Sequence, residues 1–362
     1  MHLRHLWLTD FRSYPAVDLE LPRGLCAVIG RNGTGKTNLL EAVGYLSSLR
    51  SFRGAPSEAL VRSGAERSIV RGELERDGRE ILIEAEIGRV GRNRVLLNRQ
   101  RLARTRDLHE AIATTVFSPD DLDLVKGGPG SRRGFLDDAL VTIHPRNDAI
   151  RSEWERALKQ RNALLKQMRT RPDETALLTL EVWDDKATAA GEALADLRTR
   201  LVDDLEPHVA HAYLEVAASH GPPEVTISLR YDAPWRETGL RAALGAARDD
   251  ELRRGVTLAG PHRDELVIVL NGLPARTHAS QGEQRSLALA LRLATHRLAT
   301  ERVGTAPILL LDDVFSELDA ERSAALLDAL PVGQTLLSSA AGLPSGVVPD
   351  RLVEIQPGRI VS

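Results

Sequence analysis

The amino-terminal part of the chain alternates between apolar and polar residues, which is the pattern of half-buried β-strands. Residues 2–9 are rich in apolar side chains, and residues 17–21 alternate before a proline and a glycine. A third, continuously apolar run covers residues 25–29. We therefore expect two half-buried strands followed by one buried strand.

The next segment with strand character is residues 68–104. Three apolar-rich runs, at 69–75, 80–87 and 94–98, are separated by glycine- and asparagine-containing turns. This spacing predicts an antiparallel meander.

A helical pattern replaces the strands between residues 149 and 219. Apolar side chains recur there at three- and four-residue spacing, with a break at residues 171–173. The pattern predicts two packed helices of about five to seven turns each. The first stripe contains Trp154, Leu158 and Leu165, and the second runs from Leu180 to Leu201.

One motif joins the buried strand to a helix. Residues 30–37, G-R-N-G-T-G-K-T, follow the apolar run and precede a helical pattern, which is the context of a phosphate-binding P-loop. The glycines allow backbone N–H groups to face one anion at a helix N-terminus. Lys36 would contact the β- and γ-phosphates of ATP, and Thr37 would bind Mg²⁺. The expected ATP-binding residues are Gly30, Arg31, Asn32, Gly33, Thr34, Gly35, Lys36 and Thr37.

Composition adds little to this picture. The chain has 362 residues and a formal net charge of −3, which does not indicate a nucleic-acid partner. Its single cysteine, Cys26, lies in the apolar strand, so no disulfide can form within the chain. No signal-peptide pattern and no run long enough for a membrane span are present. We expect a cytoplasmic protein that does not enter a membrane.

Positive charge is nevertheless concentrated in one segment. Residues 89–106 contain seven arginines and no acidic residue. Such a hairpin is a candidate contact for a nucleic-acid backbone, and a solvated arginine-rich face is an equally open alternative. No aromatic residue lies among these arginines, so stacking on single-stranded bases is not indicated. The candidate DNA-binding residues are Arg92, Arg94, Arg99 and Arg101.

Two motifs in the carboxyl-terminal part narrow the class. Residues 280–285, S-Q-G-E-Q-R, open a predicted helix, and an apolar run at 308–311 leads into Asp312 and Asp313. Together with the P-loop and S-E-L-D at 316–319, they match the order of motifs in ABC-type ATPases. Asp312 would hold Mg²⁺, and Asp313 would orient or deprotonate the attacking water.

The helix that follows S-Q-G-E-Q-R would offer a second anion site. In ABC-type ATPases that site faces the γ-phosphate held by the opposing subunit. The expected signature residues are Ser280, Gly282 and Glu283, and the expected catalytic residues are Lys36, Asp312 and Asp313.

These patterns define an expected architecture. The fold class is α/β, with an ABC-type P-loop ATPase lobe of mixed sheets and an inserted α-helical lobe. We expect the ATPase lobe to comprise residues 1–110 and 221–362, and the helical lobe to comprise residues 111–220.

The chain also resembles the RecF family, relatives of the SMC ATPases. The resemblance is carried by L-x-L-x-D-F-R-S-Y at residues 6–14, by the P-loop, by the run at 118–137 and by G-P-H-R-D at 260–264. It implies an ATP-dependent DNA-binding protein that forms a homodimer on ATP. It also implies action at gapped DNA and single-strand/double-strand junctions, with RecO and RecR partners, in loading RecA.

Three positions differ from the ABC pattern. The Q-loop glutamine is replaced by Thr114 and Thr115, the switch histidine by Ser338 and Ser339, and the catalytic glutamate by Asp313. We therefore expect slow ATP hydrolysis that serves as a timer. The rival hypotheses are an ABC-type ATPase subunit of a transporter and a small-molecule kinase.

Overall fold

The computed structural model describes residues 1–169, 174–217, 225–344 and 346–361. The chain divides into two compact units. Unit 1 comprises Met1–Leu122, His211–Glu224 and Arg285–Ser362, and unit 2 comprises Asp123–Ala210 and Val225–Gln284.

This division differs from the expected one at both ends of the helical lobe, since residues 111–122 and 211–217 belong to unit 1. It also differs in the placement of residues 225–284, which group with the helices of unit 2. The physical reason lies in their contacts. The Arg132 guanidinium binds the Glu265 carboxylate at 2.6 and 2.7 Å. Glu206 accepts a hydrogen bond from the Leu229 amide at 2.7 Å.

The described strands occur in both units, and those up to residue 97 lie where the apolar and alternating patterns predict them. They are β1 (His2–Phe11), β2 (Tyr14–Glu20), β3 (Leu25–Ile29), β4 (Arg67–Arg76), β5 (Arg79–Gly88), β6 (Arg94–Leu97), β7 (Gln100–Arg101), β8 (Thr114–Phe117), β9 (Ile227–Asp232), β10 (Glu265–Leu270), β11 (Leu273–Pro274), β12 (Ile308–Asp312), β13 (Thr335–Ser339), β14 (Arg351–Gln356) and β15 (Arg359–Ile360).

The described α-helices are α1 (Lys36–Ser48), α2 (Thr105–Ala111), α3 (Leu122–Val125), α4 (Pro129–Ile143), α5 (Asn147–Met168), α6 (Glu174–Val216), α7 (Leu240–Ala246), α8 (Arg248–Arg254), α9 (Ala275–His278), α10 (Gln281–Val303) and α11 (Ala320–Ala329). The predicted break at residues 171–173 lies outside the described residues. None of the described helices is long and apolar enough to cross a membrane.

Unit 1 contains two six-stranded sheets with α1 packed against both. The first sheet has the order β2-β1-β4-β5-β6-β7 and is antiparallel. The second has the order β15-β14-β3-β13-β12-β8, with parallel pairing from β14 to β8. Helix α1 contacts β1 and β4 of the first sheet and β12 and β13 of the second. Most residues of α1 are buried, because sheets cover the helix on both sides.

Unit 2 combines helix α5 and the part of helix α6 up to Ala210 with the three-stranded sheet β11-β10-β9. Buried arginines bind carboxylates in its interior. Arg161, which is fully buried, donates to Asp184 at 2.7 Å and to Glu251 at 2.5 Å. Arg198 donates to both oxygens of Asp137 at 2.8 Å. These buried guanidinium charges are therefore paired, which burial requires.

Candidate nucleotide-binding site

The P-loop connects β3, at the centre of the second sheet, to the buried helix α1. Gly33 and Gly35 have φ angles of 79° and 115°, in the left-handed region that favours glycine. The Thr34 hydroxyl donates to the Arg31 carbonyl oxygen at 2.8 Å and closes the loop. The first amides of α1 have no partner within the helix and are available to an anion.

Lys36 is held by the same loop. Its ammonium donates to the carbonyl oxygens of Gly30 at 2.8 Å and of Arg31 at 3.2 Å, and the residue is only 6% exposed. An ammonium has three donors, so one N–H remains for a phosphate oxygen. The loop thus fixes the positive charge beside its own free amides.

The carboxyl end of β12 places Asp312 next to Thr37. The Thr37 hydroxyl and the Ser338 hydroxyl each donate to Asp312 Oδ1 at 2.8 Å. Ser338 reaches Asp312 because β13 lies between β3 and β12, with Ser338 opposite both Val28 and Asp312. Burial raises the pKa of the Asp312 carboxyl above its usual value, while the two hydrogen bonds act in the opposite direction.

Asp313 has an unusual backbone conformation. Its φ angle of 48° lies in the left-handed region, which costs energy for a residue other than glycine. The Asp313 amide donates to the Ser338 hydroxyl at 3.0 Å and holds this conformation. Its Oδ1 atom is buried without a hydrogen-bond partner among the described residues. A buried acceptor left open in this way can accept a proton or orient a water.

The pair of Thr37 and Asp312 fits a magnesium ion. Mg²⁺ takes oxygen ligands and is usually bound through one or two carboxylates together with substrate phosphates. The Thr37 hydroxyl and the Asp312 carboxylate supply such oxygens beside the phosphate loop. Across the described part of the chain, no three or more histidine, cysteine or acidic side chains are grouped to hold a metal ion by themselves.

The signature residues belong to unit 2, whereas the P-loop, Asp312 and Asp313 belong to unit 1. Ser280 and Glu283 form a capping box at the beginning of α10. The Ser280 amide and hydroxyl both donate to Glu283 Oε2 at 2.7 Å, and the Glu283 amide donates to the Ser280 hydroxyl at 3.3 Å. Gly282, in the first turn of α10, is partly exposed.

The four candidate DNA-binding arginines lie at one edge of the first sheet of unit 1. All four are exposed, and none forms an ion pair with another described residue. Arg94 is in β6, Arg101 is in β7, and Arg99 lies in the turn between these strands. Other arginines of the same sheet do form ion pairs, such as Arg4 of β1 with Glu80 at 2.9 Å.

Two residues of the site could not be identified from a sequence motif. Ser338 occupies the position of the switch histidine, and its contact with Asp312 depends on a strand order that the sequence does not reveal. Arg53 lies in the loop after α1, and its charge lowers the pKa of the Asp312 carboxyl. The sequence signal available for Arg53 was its place shortly after the P-loop helix.

His262 of the G-P-H-R-D segment packs within unit 2, where it contacts Thr257 and Trp154. Its Nε2 atom is 3.0 Å from the Thr257 carbonyl oxygen, and its ring lies 5.7 Å from the Trp154 ring. Burial lowers the pKa of His262 to about 4.

The fold and site together define a P-loop ATPase of the class that includes the SMC proteins. Residues 2–335 match the family model described as RecF/RecN/SMC N terminal domain. A structure of an Smc head bound to a ScpA domain shares the fold, with a TM-score of 0.60 and 16% identity over 100% of this chain and 97% of the other.

Closer relatives narrow the class to one family. The protein named DNA replication and repair protein RecF from Frankia alni is 44% identical over 371 residues, which cover 98% of this chain and 97% of the relative. The protein of the same name from Streptomyces avermitilis is 44% identical over 356 residues and 94% of each chain. A structure described as recombination mediator protein RecF-ATP in the RecFOR pathway has a TM-score of 0.90 and 30% identity, over 99% of this chain and 97% of the other. The chain belongs to the RecF family.

Proposed function

We propose that the chain is an ATP-dependent DNA-binding protein of recombinational repair and replication restart. The observation that carries this proposal is the arrangement of Lys36, Thr37 and Asp312 around an open phosphate loop, in a chain of the RecF family. The related structure described as RecF-ATP supports ATP as the nucleotide.

In this proposal Thr37 and Asp312 would hold Mg²⁺, which would offset the charge of the phosphates. The third donor of Lys36 binds a phosphate oxygen, and the open Oδ1 of Asp313 orients or deprotonates the attacking water. Ser338 donates to Asp312 and keeps its carboxylate in place. A serine cannot act as a proton-transferring switch histidine at neutral pH, so hydrolysis is slow and acts as a timer.

The signature motif supports a dimer as the active form. Ser280 precedes helix α10 in unit 2, and Gly282 lies in its first turn. Their amides would bind the γ-phosphate held by a second copy of the chain, with the phosphate replacing Glu283 as the acceptor of the Ser280 amide. ATP would thereby join two copies, and the exposed arginines of β6 and β7 would contact the DNA backbone.

The biological setting is proposed from the family. The chain would act in the cytoplasm at gapped duplexes and single-strand/double-strand junctions, with RecO and RecR, to assist RecA loading. The related structures are described as belonging to the RecFOR pathway. No feature of the described residues favours the transporter subunit or the small-molecule kinase.

A mobility-shift experiment with gapped duplex DNA tests the proposal. We expect wild-type protein to bind more tightly with ATP and Mg²⁺ than without nucleotide. Lys36→Met should bind equally weakly in both conditions, because a charge-assisted phosphate contact is lost. Intact duplex serves as the control substrate. An affinity for gapped DNA that ATP does not change, in wild-type protein shown to bind ATP, would contradict the proposal.

A further inference from the structure

The F-R-S-Y segment forms a tight turn between β1 and β2 that lies against the P-loop. Phe11 ends β1 and Tyr14 begins β2. Arg12, between them, has a φ angle of 52°. All contacts described below are within unit 1.

The side chain of Tyr14 donates to the backbone of the P-loop. Its hydroxyl lies 3.0 Å from the Gly35 carbonyl oxygen, and Tyr14 is fully buried. The same carbonyl accepts the Leu39 amide of the first helical turn at 3.1 Å. Both acceptor positions of the Gly35 carbonyl are therefore in use, which fixes the direction of its C=O bond.

The direction of the Gly35 carbonyl also determines the direction of the Lys36 amide. The C=O of Gly35 and the N–H of Lys36 belong to one planar trans peptide and point in opposite directions. The Lys36 N–H is among the first amides of α1, which have no partner within the helix. With the carbonyl held by Tyr14, this N–H is directed away from Tyr14 and is available to an anion.

The close approach requires glycine at position 35. A Cβ atom there would lie 2.7 Å from the Ser13 hydroxyl oxygen and 3.0 Å from the Tyr14 hydroxyl oxygen. Gly35 thus lets two side chains of the turn reach the loop, in addition to permitting its φ angle of 115°.

Two further contacts hold the turn against α1. The Ser13 hydroxyl accepts a hydrogen bond from the Asn38 side-chain amide at 3.0 Å. The Arg12 guanidinium binds both carboxylate oxygens of Glu41 at 2.7 and 2.8 Å, and Glu41 is fully buried. A paired, bidentate contact of this kind fixes geometry as well as charge.

We propose that Tyr14, together with Ser13, is a positioning residue of the nucleotide site. It sets the orientation of the Gly35–Lys36 peptide so that the Lys36 N–H meets the phosphates without reorganisation. The inference rests on the proposed nucleotide binding and names the group that preorganises the loop.

The binding of MgADP, measured by titration calorimetry, tests this inference, because ADP needs only the P-loop of one chain. Tyr14→Phe should raise the Kd about three- to tenfold, because the variant loses one neutral hydrogen bond that positions the loop. The matched control is Tyr45→Phe, which removes another buried hydroxyl from α1, one bonded to Asn93 at 3.3 Å. Its Kd should equal that of wild-type protein. Ser13→Ala should also raise the Kd. If Tyr14→Phe does not fold, the Kd of Ser13→Ala tests the inference in its place.

A kinetic comparison separates positioning from general stability. The Lys36 N–H contacts the nucleotide in the ground state and in the transition state alike, so Tyr14→Phe should raise KM for ATP and leave kcat unchanged. Equal Kd values for wild-type and Tyr14→Phe proteins, or equal increases in Tyr14→Phe and Tyr45→Phe, would overturn the inference. Wild-type protein that binds no MgADP would instead refute the proposed function on which the inference rests.

Discussion

At the scale of single residues, a buried histidine makes stability depend on pH. His296 in α10 is 1% exposed, and its Nδ1 atom is 3.1 Å from the Thr115 hydroxyl. Burial, with a smaller contribution from the Arg297 charge, lowers the pKa of His296 to about 4. The unfolded chain therefore binds a proton between about pH 6.5 and pH 4 that the folded chain does not bind. Stability must fall as the pH falls through this range.

The variant His296→Gln should lose this contribution. We compare the decrease in the free energy of unfolding between pH 6 and pH 5, measured in urea, for the two proteins. This decrease should be smaller in the variant than in wild-type protein, by up to about 1.4 kcal/mol. His262→Gln in unit 2, where burial also lowers the pKa to about 4, provides an independent comparison. Equal pH dependence in wild-type and His296→Gln proteins would show that the buried imidazole becomes charged without cost.

The same scale shows what a sequence can predict of the site. The spacing around Lys36 and the acidic end of an apolar run identify Thr37 and Asp312 as partners, and the structure places their side chains 2.8 Å apart. The contribution of Ser338 could not be predicted, because it depends on β13 lying between β3 and β12. Tyr14 is similar, since its hydrogen bond to Gly35 joins two segments whose packing no local pattern encodes.

At the scale of elements, the arginine hairpin carries four exposed arginines that form no ion pair with another described residue. If Arg92, Arg94 and Arg99 contact phosphates, the triple change to alanine should flatten the plot of log K against log salt by about 0.9 per lost duplex contact. Affinity should fall on every DNA sequence alike. Filter-binding titrations between low and moderate salt measure the slope.

A matched control uses Arg4 and Arg67 of the same sheet and Arg23 of the loop after β2. Arg4, Arg23 and Arg67 form ion pairs with Glu80, Glu75 and Glu86. Changing these three arginines to alanine alters the net charge equally but should leave the slope unchanged, because their charges are already neutralised. If the two triple variants changed the slope equally, the hairpin would contribute only general electrostatic attraction and no direct phosphate contacts.

Element type was predicted better than element length. The meander of β4, β5 and β6 lies where the apolar runs place it. Helix α6, in contrast, has 43 residues, or about twelve turns, instead of the expected five to seven. Its buried stripe continues past Leu201 through Leu205, Val209, Ala212 and Val216, and Pro207 does not end it.

At the scale of the whole molecule, the expected fold class is confirmed: an α/β ATPase of mixed sheets with a helical lobe. The expected division of the chain differs from the observed units, because residues 225–284 show strand and turn patterns that do not reveal their packing partners. Their ion pairs and hydrogen bonds with α4 and α6 join them to unit 2.

In the proposed dimer, each active site combines the P-loop of one copy with the signature of the other. Lys36→Met and Ser280→Arg disable different halves of such a site, so each protein alone should be inactive in ATP hydrolysis. A mixed dimer contains one site with both defects and one in which wild-type Lys36 faces wild-type Ser280. Each variant by itself, and each mixed with inactive double mutant, serves as the control.

Steady-state ATP hydrolysis across mixing ratios of the two variants is the most direct test. We predict that activity appears only on mixing, follows the heterodimer population, and corresponds to at most half of the wild-type sites in those heterodimers. No recovered activity at any ratio, with both variants folded and shown to exchange subunits, would contradict a composite site.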